Sequence, residues 1–389
     1  MVEKHNIIGL MSGSSLDGID LVDADFWYDG RWHFEIVAKD NYDYDDEWRK
    51  ALSNAFHIEI VETHGRASLH QLDHDYGQLL GIVTKQFIEK FNLHPEIVAS
   101  HGHTIFHRPH EHYTLQIGDG QALANACGVT VINDFRTEDV LKGGQGAPLV
   151  PIGDKLLFSD YPICLNIGGI ANVSYDIDGE RIAYDICIAN QALNYLASRF
   201  MPSHDVQTRL IASLPTSLNV PLSFDYDGLI ARSGTIDNKL LTTLNSHPFY
   251  SQKFPKSLGR EFFEENIKPL LEKRDDVADM MATFVEHIAI QIGNSINNST
   301  IQTRFIASHN PTKLLITGGG AKNKFLVERI QAHTKHHAVV PPDDIIDYKE
   351  ALVFAFLGLL RSRNEINVLK SVTGAESDSS SGRIYHSNH

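Results

Sequence analysis

The sequence predicts an α/β fold made of two halves of similar design. Strand-like apolar runs alternate with helical segments along the chain, an order typical of layered α/β proteins. An apolar strand, a Gly-rich turn and a second strand occupy residues 7–22, and the same pattern recurs at 163–175. The chain has 389 residues, which is too long for one simple core and a natural length for two domains.

The composition is that of an ordinary globular protein, with 42% hydrophobic and 21% charged residues. The formal net charge of −15 provides no overall attraction for nucleic acid or anionic lipid, so neither partner is expected. No apolar run approaches the ~20 residues that span a bilayer. The N-terminus has no signal-peptide core, and we therefore expect a cytoplasmic protein.

Neither the cysteines nor the histidines predict a metal site. Three widely spaced cysteines in apolar surroundings indicate buried, reduced thiols. A histidine cluster lies in the first half, but no Cys or ordered acidic set completes it as a metal site. The cysteines are Cys127, Cys164 and Cys187, and the clustered histidines are His101, His103, His107, His110 and His112.

In the first half, a meander of three strands is expected, with its third strand at 32–39 after the hairpin. Residues 42–47 predict a loop, and apolar residues at helical spacing predict a long helix at 68–93. The remaining expected elements are strands at 97–100, 113–117 and 129–132 and a helix at 121–127.

The Gly- and Pro-rich stretch 143–151 is the strongest composition break and predicts a crossing between domains. The second half then repeats the design, with a third short strand ending at Tyr184-Asp185. The Ser- and Asp-rich stretch 376–381 predicts a mobile segment. Further expected elements are a strand at 313–317 and helices at 190–199, 276–297, 324–334 and 348–361, with Met281, Phe284 and Ile288 on a core face.

Three Gly-rich turns, at 12–18, 166–172 and 317–323, carry the functional signal. Turns in which backbone N–H groups and hydroxyls converge can hold phosphate oxygens, and two facing hairpin turns can clamp a polyphosphate. The third turn lies between a strand and a helix, where N–H groups at a helix N-terminus favour an anion. The first turn lacks the lysine of a P-loop, and on its own it also fits an ordinary surface hairpin.

With these turns, the chain resembles the sugar kinase, Hsp70 and actin superfamily, and more narrowly the anhydro-N-acetylmuramic acid kinase family. The resemblance implies two duplicated actin-like, ribonuclease H-like domains with mixed sheets around an interdomain ATP cleft. The implied lobes are 1–136 plus 352–389, and 137–351. The matching segments are 9–20, 100–104, 116–120, 134–136, 143–151, 166–172, 257–261, 318–323 and 349–351.

The resemblance also implies a reaction and its cofactors. Water opens the 1,6-anhydro ring of N-acetylmuramic acid at the anomeric carbon, and the released 6-oxygen accepts the γ-phosphoryl group of ATP. The product is N-acetylmuramic acid 6-phosphate, as needed in peptidoglycan recycling. ATP and Mg²⁺ are the implied cofactors, with Mg²⁺ and turn N–H groups offsetting phosphate charge.

By the same resemblance, Asp185 is the general base for the water. Thr104, Arg136 and Glu350 bind the sugar, and Arg136 can pair with its lactyl carboxylate. The implied ATP-binding residues are Gly13, Ser14, Ser15, Leu16, Asp17, Gly18, Ile19, Asp20, Asn166, Gly168, Gly169, Gly318, Gly319, Gly320 and Asn323.

Each of these side chains also has an ordinary structural interpretation. Asp185 can cap the helix that starts near Asn190. Arg136 can form a surface or interdomain ion pair, and Glu350 can be a first-turn helix acid. These alternatives stay open at the level of the residues alone.

One departure from the family's pattern bears on the substrate. The family usually has Asp-Thr-Gly-Pro-Gly-Asn where residues 185–190 are Asp-Ile-Cys-Ile-Ala-Asn, and His103 replaces a Gln. A kinase of the same fold acting on another sugar, or a non-catalytic sugar sensor, therefore stays open. A nucleotide-regulated binding module would need a peptide-binding domain, for which the segment after Tyr348 is too short. The oligomeric state is not fixed, and a homodimer is one option.

Overall fold

The chain divides into two compact units. The computed structural model describes residues 2–13, 16–55, 63–200, 223–272, 274–297 and 312–388, and only the backbone at 63–67. Unit 1 comprises Met1–Ser159 and Tyr348–His389, and unit 2 comprises Asp160–Asp347.

The strands fall into three sheets. They are β1 (Lys4–Ser12), β2 (Gly18–Tyr28), β3 (Trp32–Asp43), β4 (Ile97–Ser100), β5 (His103–Arg108), β6 (Tyr113–Ile117), β7 (Thr130–Asn133), β8 (Ile163–Ile167), β9 (Ile170–Ile177), β10 (Glu180–Ile188), β11 (Lys313–Thr317), β12 (His337–Val339) and β13 (Arg383–Tyr385).

The α-helices include two of 20 residues, α11 and α13. They are α1 (Asp46–Ala55), α2 (Thr63–Phe91), α3 (Gly120–Cys127), α4 (Thr137–Leu141), α5 (Pro151–Leu156), α6 (Asn190–Arg199), α7 (Leu229–Ser233), α8 (Asn238–Asn245), α9 (Arg260–Phe262), α10 (Lys268–Leu271), α11 (Val277–Ile296), α12 (Lys324–His333), α13 (Asp343–Ser362) and α14 (Lys370–Thr373). The 3₁₀ turns are Pro109–Glu111, Tyr226–Gly228, Pro248–Ser251 and Gly319–Lys322, and a π turn covers Phe263–Ile267.

The main sheets of the two units share one strand order. In unit 1 the order is β13-β7-β4-β1-β2-β3, and in unit 2 it is β10-β9-β8-β11-β12. In each, three antiparallel strands form a meander, a later strand pairs in parallel with its first strand, and another later strand pairs in parallel with that one. Unit 1 adds the antiparallel edge strand β13. In unit 1, α2 and α3 are the crossovers that these parallel strands need. The predicted fold of two duplicated α/β domains with mixed sheets is confirmed.

Each unit has its own apolar core. In unit 1 it includes the fully buried Ile8, Leu21 and Tyr76. In unit 2 the core surrounds α11, which is buried along most of its length and apolar on most sides, as a central helix must be. Phe284 and Ile288 lie in that core with Met281, as predicted. None of the helices that the structure describes is long and apolar enough to cross a membrane.

Two glycine contacts set the depth at which α13 packs on the sheet of unit 1. A Cβ at Gly9 on β1 would lie 1.9 Å from the carbonyl oxygen of Ala351, and one at Gly358 would lie 2.6 Å from the Cβ of Ala99 on β4. A side chain at either position would therefore push the helix away from the sheet. Just before Ala351, Lys349 forms a buried ion pair with Asp154, with Nζ 2.6 Å from Oδ1.

Three predicted local features differ in the structure. Strand β3 continues to Asp43, so the predicted loop at 42–47 is shorter. The predicted helix at 348–361 begins earlier, at Asp343. The stretch 376–381 was predicted to be mobile, but Ser379 and Ser381 are buried. Asn367 fixes this stretch, because its side-chain amide donates to the Ser381 carbonyl and accepts the Ser381 N–H.

The Gly-rich stretch 143–151 is a loop within unit 1 rather than a crossing between units. It wraps around the fully buried Asp139, which accepts the Gly146 N–H at 2.7 Å. The other Asp139 oxygen accepts the hydroxyl of Thr373 at 2.7 Å. A Cβ at Gly144 would lie 2.2 Å from the Asp139 carboxylate, so the loop can close only over glycine. These contacts explain why 137–159, assigned by prediction to the second lobe, packs with the first.

We expect Gly9→Ala to lower the free energy of unfolding by about 3 kcal/mol, the upper part of the usual range for overpacking a core. The added methyl group must displace the backbone of α13. Chemical denaturation measures the change, with Gly169→Ala as the control, since a Cβ there meets only the Gln191 Cβ at 3.7 Å. Equal stability losses in both variants would contradict the packing argument.

Candidate functional site

The first turn is held by its backbone and by close packing. Gly13 accepts the Leu16 N–H at 3.4 Å, and Leu16 has a positive φ of 60°. A Cβ at Gly18 would lie 2.2 Å from the Tyr42 carbonyl, so this glycine is required by the approach of β3. Ser14 and Ser15 lie outside the described residues.

The other predicted nucleotide residues of this turn differ in exposure. Asp17 is exposed, whereas Ile19 is fully buried and can offer a ligand only its backbone. Asp20 is half-buried, and its Oδ1 accepts the side-chain amide of Asn41 at 2.9 Å.

Ser12, at the end of β1, faces the interior. Its hydroxyl lies 2.7 Å from the Tyr44 hydroxyl and 3.0 Å from Nδ1 of His103. The Tyr44 hydroxyl in turn lies 2.6 Å from that of Tyr76. Burial lowers the pKa of His103 to about 4, so this ring is neutral at physiological pH. The network fixes the start of the first turn, and the Ser12 hydroxyl is engaged within it.

Arg136 is oriented by two neutral acceptors. Its Nε–H and one Nη2–H donate to Nε2 of His101 at 3.1 and 2.8 Å, and an Nη1–H donates to the Gly146 carbonyl at 2.6 Å. Burial lowers the pKa of Arg136 to about 10, so the guanidinium stays charged at neutral pH. Of five guanidinium N–H groups, one on each Nη nitrogen has no protein acceptor in the described part of the chain.

His101 is neutral and carries its proton on Nδ1, as the contact with Arg136 requires. Its Nδ1–H donates to the Gly102 carbonyl at 2.9 Å, which leaves the lone pair of Nε2 to accept from Arg136. Burial and the neighbouring guanidinium hold the pKa of His101 well below its usual value. A cation at His101 would oppose the guanidinium, so a neutral ring is required. Sequence reasoning did not assign this role, because an isolated His-Gly-His carries no signal of its partner.

Thr104 and Glu350 are the other predicted sugar-binding residues. Thr104 lies on β5 and accepts the side-chain amide of Gln116 at 3.3 Å. Glu350 is exposed on α13 and interacts electrostatically with Arg136 and Asp20. Unit 1 therefore brings Asp20, Arg136 and Glu350 into one electrostatic group.

In unit 2, the turn between β8 and β9 caps a helix. The carbonyl of Gly168 accepts the Asn190 N–H at 3.1 Å, and that of Gly169 accepts the N–H groups of Ala189 and Gln191. The Asn190 side chain donates back to the Ile167 carbonyl at 3.1 Å. The first N–H groups of α6 are therefore satisfied by this turn.

The third Gly-rich turn packs directly over the end of β8. A Cβ at Gly318 would lie 2.7 Å from Oδ1 of Asn166, and one at Gly320 would lie 2.3 Å from Cγ2 of Ile167. A Cβ at Gly319 would meet only Nδ2 of Asn190, at 3.6 Å, and Gly319 is exposed. Two of the three glycines are thus required by packing, and Gly319 lies open to a ligand.

Asn323 caps the following helix. Its Oδ1 accepts the Leu326 N–H at 2.9 Å, and a 3₁₀ turn separates it from the strand β11. This turn was predicted to lie at a helix N-terminus, but the rest of the 3₁₀ turn separates its glycines from the first residue of α12. The capping contact uses one of the N–H groups that such a terminus would offer to an anion.

A pocket of about 1030 Å³ opens in unit 2 beside these residues. Its lining combines polar groups with apolar side chains. Its lining residues include the predicted Gly319 and Asn323, together with Asn190, Phe224, Asp225, Tyr226, Asp227, Val327, Asp343 and Ile346.

Carboxylates outnumber cations in this pocket. The two lining lysines are paired, Lys322 with Asp347 at 2.6 Å and Lys324 with Asp227 at 2.6 Å. Asp225 accepts the N–H groups of α7 at 2.8 and 3.0 Å, so it is a helix cap. An acidic lining disfavours a triphosphate but suits a neutral group with hydroxyls, since carboxylates accept hydroxyl hydrogen bonds.

Asp185 was predicted to end its strand, but it lies within β10. The strand continues to Ile188 and has a bulge between Asp185 and Cys187. Such bulges change the direction of a side chain. The Leu258 N–H donates to Oδ2 of Asp185 at 2.8 Å, while Oδ1 has no protein hydrogen-bond partner among the described residues. Burial raises the pKa of Asp185, and the Leu258 N–H and the nearby Lys256 lower it.

The apolar residues that follow Asp185 belong to the core. Ile186, Cys187, Ile188 and Ala189 are at most 1% exposed. They lie in β10 or precede α6, whose N-cap residue, Ala189, makes no side-chain hydrogen bond. The interpretation of Asp185 as the cap of that helix is therefore wrong. Core burial explains why apolar residues replace the Gly and Pro of the family's pattern.

The histidines of the first half have separate partners. His107 contacts Thr114, with Nδ1 3.1 Å from its hydroxyl, apart from the contacts of His101 and His103. Over the ranges that the structure describes, no group of three or more His, Cys, Asp or Glu residues is arranged to hold a metal ion.

Comparison with known proteins covers nearly the whole chain. The anhydro-N-acetylmuramic acid kinase family model matches residues 5–387. The chain is 33% identical to the anhydro-N-acetylmuramic acid kinase of Mannheimia succiniciproducens, covering 98% of this chain and 99% of that one. It is 34% identical to that of Pasteurella multocida, covering 97% and 96%. Among solved structures, it is similar to gluconate kinase from Lactobacillus acidophilus, with 10% identity, a TM-score of 0.42, and coverage of 99% and 94%.

We expect Asp139→Asn to destabilise the protein by about 2 kcal/mol, because a hydrogen bond to a buried charged acceptor is lost. Thr373→Val removes one donor to the same carboxylate and should cost about 1 kcal/mol. Denaturant unfolding measures both. The neighbouring Glu138→Gln serves as the control, since its ion pair with Lys142 is on the surface and should change stability by less than about 0.5 kcal/mol. If Glu138→Gln costs as much as Asp139→Asn, the buried carboxylate does not organise this loop.

Proposed function

Because the chain belongs to the anhydro-N-acetylmuramic acid kinase family, we propose that it uses ATP to convert 1,6-anhydro-N-acetylmuramic acid into N-acetylmuramic acid 6-phosphate. This is a reaction of cell-wall recycling, and the supply of ATP makes the cytoplasm its expected location. The observation that carries the proposal is Asp185, a half-buried carboxylate with one oxygen held by a backbone amide and the other without a hydrogen-bond partner in the described part of the chain.

Asp185 acts in this proposal as the general base for water. Its Oδ1 accepts one proton of the water, whose oxygen bonds to the anomeric carbon while the bond from that carbon to the 6-oxygen breaks. The 6-oxygen then bonds to the γ-phosphorus, ADP leaves with the bridging oxygen, and the proton on Asp185 returns to solvent. The Leu258 amide supports the role because it fixes the carboxylate through Oδ2 and leaves Oδ1 for the water.

The sugar is bound in this proposal by Thr104, Arg136 and Glu350. The two remaining N–H groups of Arg136, one on each Nη nitrogen, suit the two oxygens of a lactyl carboxylate. Glu350 and Thr104 provide acceptors and a hydroxyl for the sugar's own hydroxyl groups. His101 prevents rotation of the guanidinium, and this orientation favours a carboxylate over a neutral substituent.

For ATP, we assign the adenosine to the pocket of unit 2 and the phosphates to the Gly-rich turns. The pocket's carboxylates suit ribose hydroxyls, and Gly319 leaves open space beside it. The described turn residues proposed to take part are Gly13, Leu16, Asp17, Gly18, Ile19, Asp20, Asn166, Gly168, Gly169, Gly318, Gly319, Gly320 and Asn323. Mg²⁺ would offset the phosphate charge, held mainly by phosphate and water oxygens with Asp20 as the candidate carboxylate.

A second candidate function is phosphorylation of a different sugar by the same groups. The observation that favours it is the apolar core segment after Asp185, which replaces the glycines of the family's pattern. A panel of anhydro and free sugars tested with labelled ATP separates the two. Phosphate transfer to a sugar other than 1,6-anhydro-N-acetylmuramic acid as the preferred acceptor would favour this second function. Tight sugar binding without any transfer would instead indicate a sensor.

We expect Asp185→Asn to lower turnover by about 10²- to 10⁴-fold, the usual contribution of a general base. ATP affinity should stay within about twofold, because the change removes a proton acceptor and no proposed nucleotide contact. Product analysis in ¹⁸O-labelled water, with ATP binding by calorimetry, measures both. Asp178→Asn is the matched control, at the β9–β10 turn in the same unit, and should retain activity. Near-normal turnover in Asp185→Asn would remove this residue from the mechanism.

We expect Arg136→Ala to raise KM for 1,6-anhydro-N-acetylmuramic acid roughly 10- to 100-fold, as for the loss of a charged hydrogen-bonded pair. The analogue 1,6-anhydro-N-acetylglucosamine lacks the lactyl carboxylate, so its weaker reaction should change little. Steady-state kinetics with both sugars measures the difference, and Arg136→Lys tests whether charge alone suffices. An equal loss for the two sugars would contradict the assignment of Arg136 to the carboxylate.

A further inference from the structure

A short segment after the third 3₁₀ turn is fastened to Asp185 at two points. The N–H of Asp185 donates to the Lys256 carbonyl at 3.1 Å. The N–H of Leu258 donates to Oδ2 of the Asp185 side chain at 2.8 Å. The backbone and the carboxylate of Asp185 are therefore both tied to the backbone of residues 256–258.

The Lys256 side chain is itself fixed by its surroundings. Its Nζ lies 4.5 Å from the ring centre of Phe249 and 5.8 Å from that of Tyr184, and it donates to the Phe249 carbonyl at 3.4 Å. A cation over an aromatic face is attracted by the ring quadrupole. The ammonium interacts electrostatically with Asp185, although the two do not form a direct ion pair within 4.0 Å. A water molecule at Oδ1 therefore does not compete with a salt bridge.

Among the described residues, four further titratable groups that are linked to Asp185 or Lys256, directly or through one another, are neutral near pH 7. Burial raises the pKa of the thiol and of both phenols, and it lowers that of the imidazole to about 3. Burial also lowers the pKa of Lys256, but its usual value lies far above neutrality, so it remains a cation. The neutral groups are Cys187, Tyr184, Tyr250 and His287, the last of which contacts the Tyr250 hydroxyl at 3.1 Å.

We propose that Lys256 is a positioning residue that keeps Asp185 in its ionised, base-competent form through the charge of its ammonium group. The inference rests on the proposed function for its catalytic meaning. Burial disfavours a charged carboxylate, and a nearby opposite charge restores it. A general base acts only when ionised, so its contribution is present above its pKa and lost as the pH falls through it. Without the Lys256 charge, that loss begins at a higher pH.

Lys256→Met tests this, because it removes the charge and keeps the length of the side chain. The titration of Asp185 is followed by the ¹³Cγ signal of labelled aspartate, assigned by its disappearance in Asp185→Asn. We expect the midpoint to rise by about 1 pH unit in Lys256→Met and by no more than about 0.3 units in Lys256→Arg, which keeps the positive charge. Lys313→Met is the matched control, since Lys313 also lies over an aromatic ring, that of Tyr161, in the same unit.

The kinetic readout separates this inference from the proposed function. The acidic limb of kcat/KM against pH should move upward with the NMR midpoint in Lys256→Met alone, and thermal unfolding checks that each variant is folded. An unchanged Asp185 midpoint in a folded Lys256→Met protein overturns the role of Lys256. A raised midpoint with an unmoved kinetic limb supports the charge coupling and contradicts Asp185 as the base.

Discussion

The contact between Gly9 and the backbone of Ala351 is the constraint on which the rest of unit 1 depends. Because Gly9 has no side chain, α13 lies directly on the central strand β1. Glu350 is thereby brought into electrostatic range of Asp20 and Arg136, and the adjacent Lys349 reaches Asp154. A larger residue in this strand would separate groups from opposite ends of the sequence. The sugar-binding arrangement that we propose is therefore a consequence of backbone packing.

The two units share a sheet order, but the turn between the first two strands makes different contacts in each. In unit 1 the turn between the first two strands is pressed against β3 at Gly18, while in unit 2 the equivalent turn caps α6 through Gly168 and Gly169. The third glycine run meets β8 at Gly318 and Gly320. The glycines that the sequence presents as one class thus divide into those that permit packing and those that leave space. Gly319 belongs to the second group, and it lines the pocket of unit 2.

Local sequence patterns were sufficient to predict many of the strands and helices. The strand bounds at 97–100, 113–117 and 313–317 and the helix at 190–199 agree with the structure, because apolar periodicity and flanking Gly residues are local signals. The stretch 143–151 was misinterpreted because glycine and proline mark a break in regular structure without saying what the loop encloses. The buried Asp139 that it encloses is recognisable only once Thr373 is beside it.

The site residues show the same limit. Asp185 and Arg136 were predicted as site residues from a resemblance, and this assignment stays a prediction, whereas the residues that contact them were not predicted at all. Lys256 and His101 act on them across distances in sequence that no periodicity encodes, since each contact depends on how loops pack. The burial of residues 186–189 likewise follows from a strand that runs past its expected end. Sequence patterns predict the elements, whereas the environment of a charged group depends on tertiary contacts.

The bond between Asp139 and Thr373 has a consequence for how the protein is made. Thr373 follows Arg136 far along the chain, yet it bonds to the carboxylate around which the Gly146 loop closes, and the Gly146 carbonyl holds Arg136. A growing chain on the ribosome contains Arg136 long before it contains Thr373. The contacts that hold Arg136 in unit 1 are therefore complete only after Thr373 has been added and has reached Asp139.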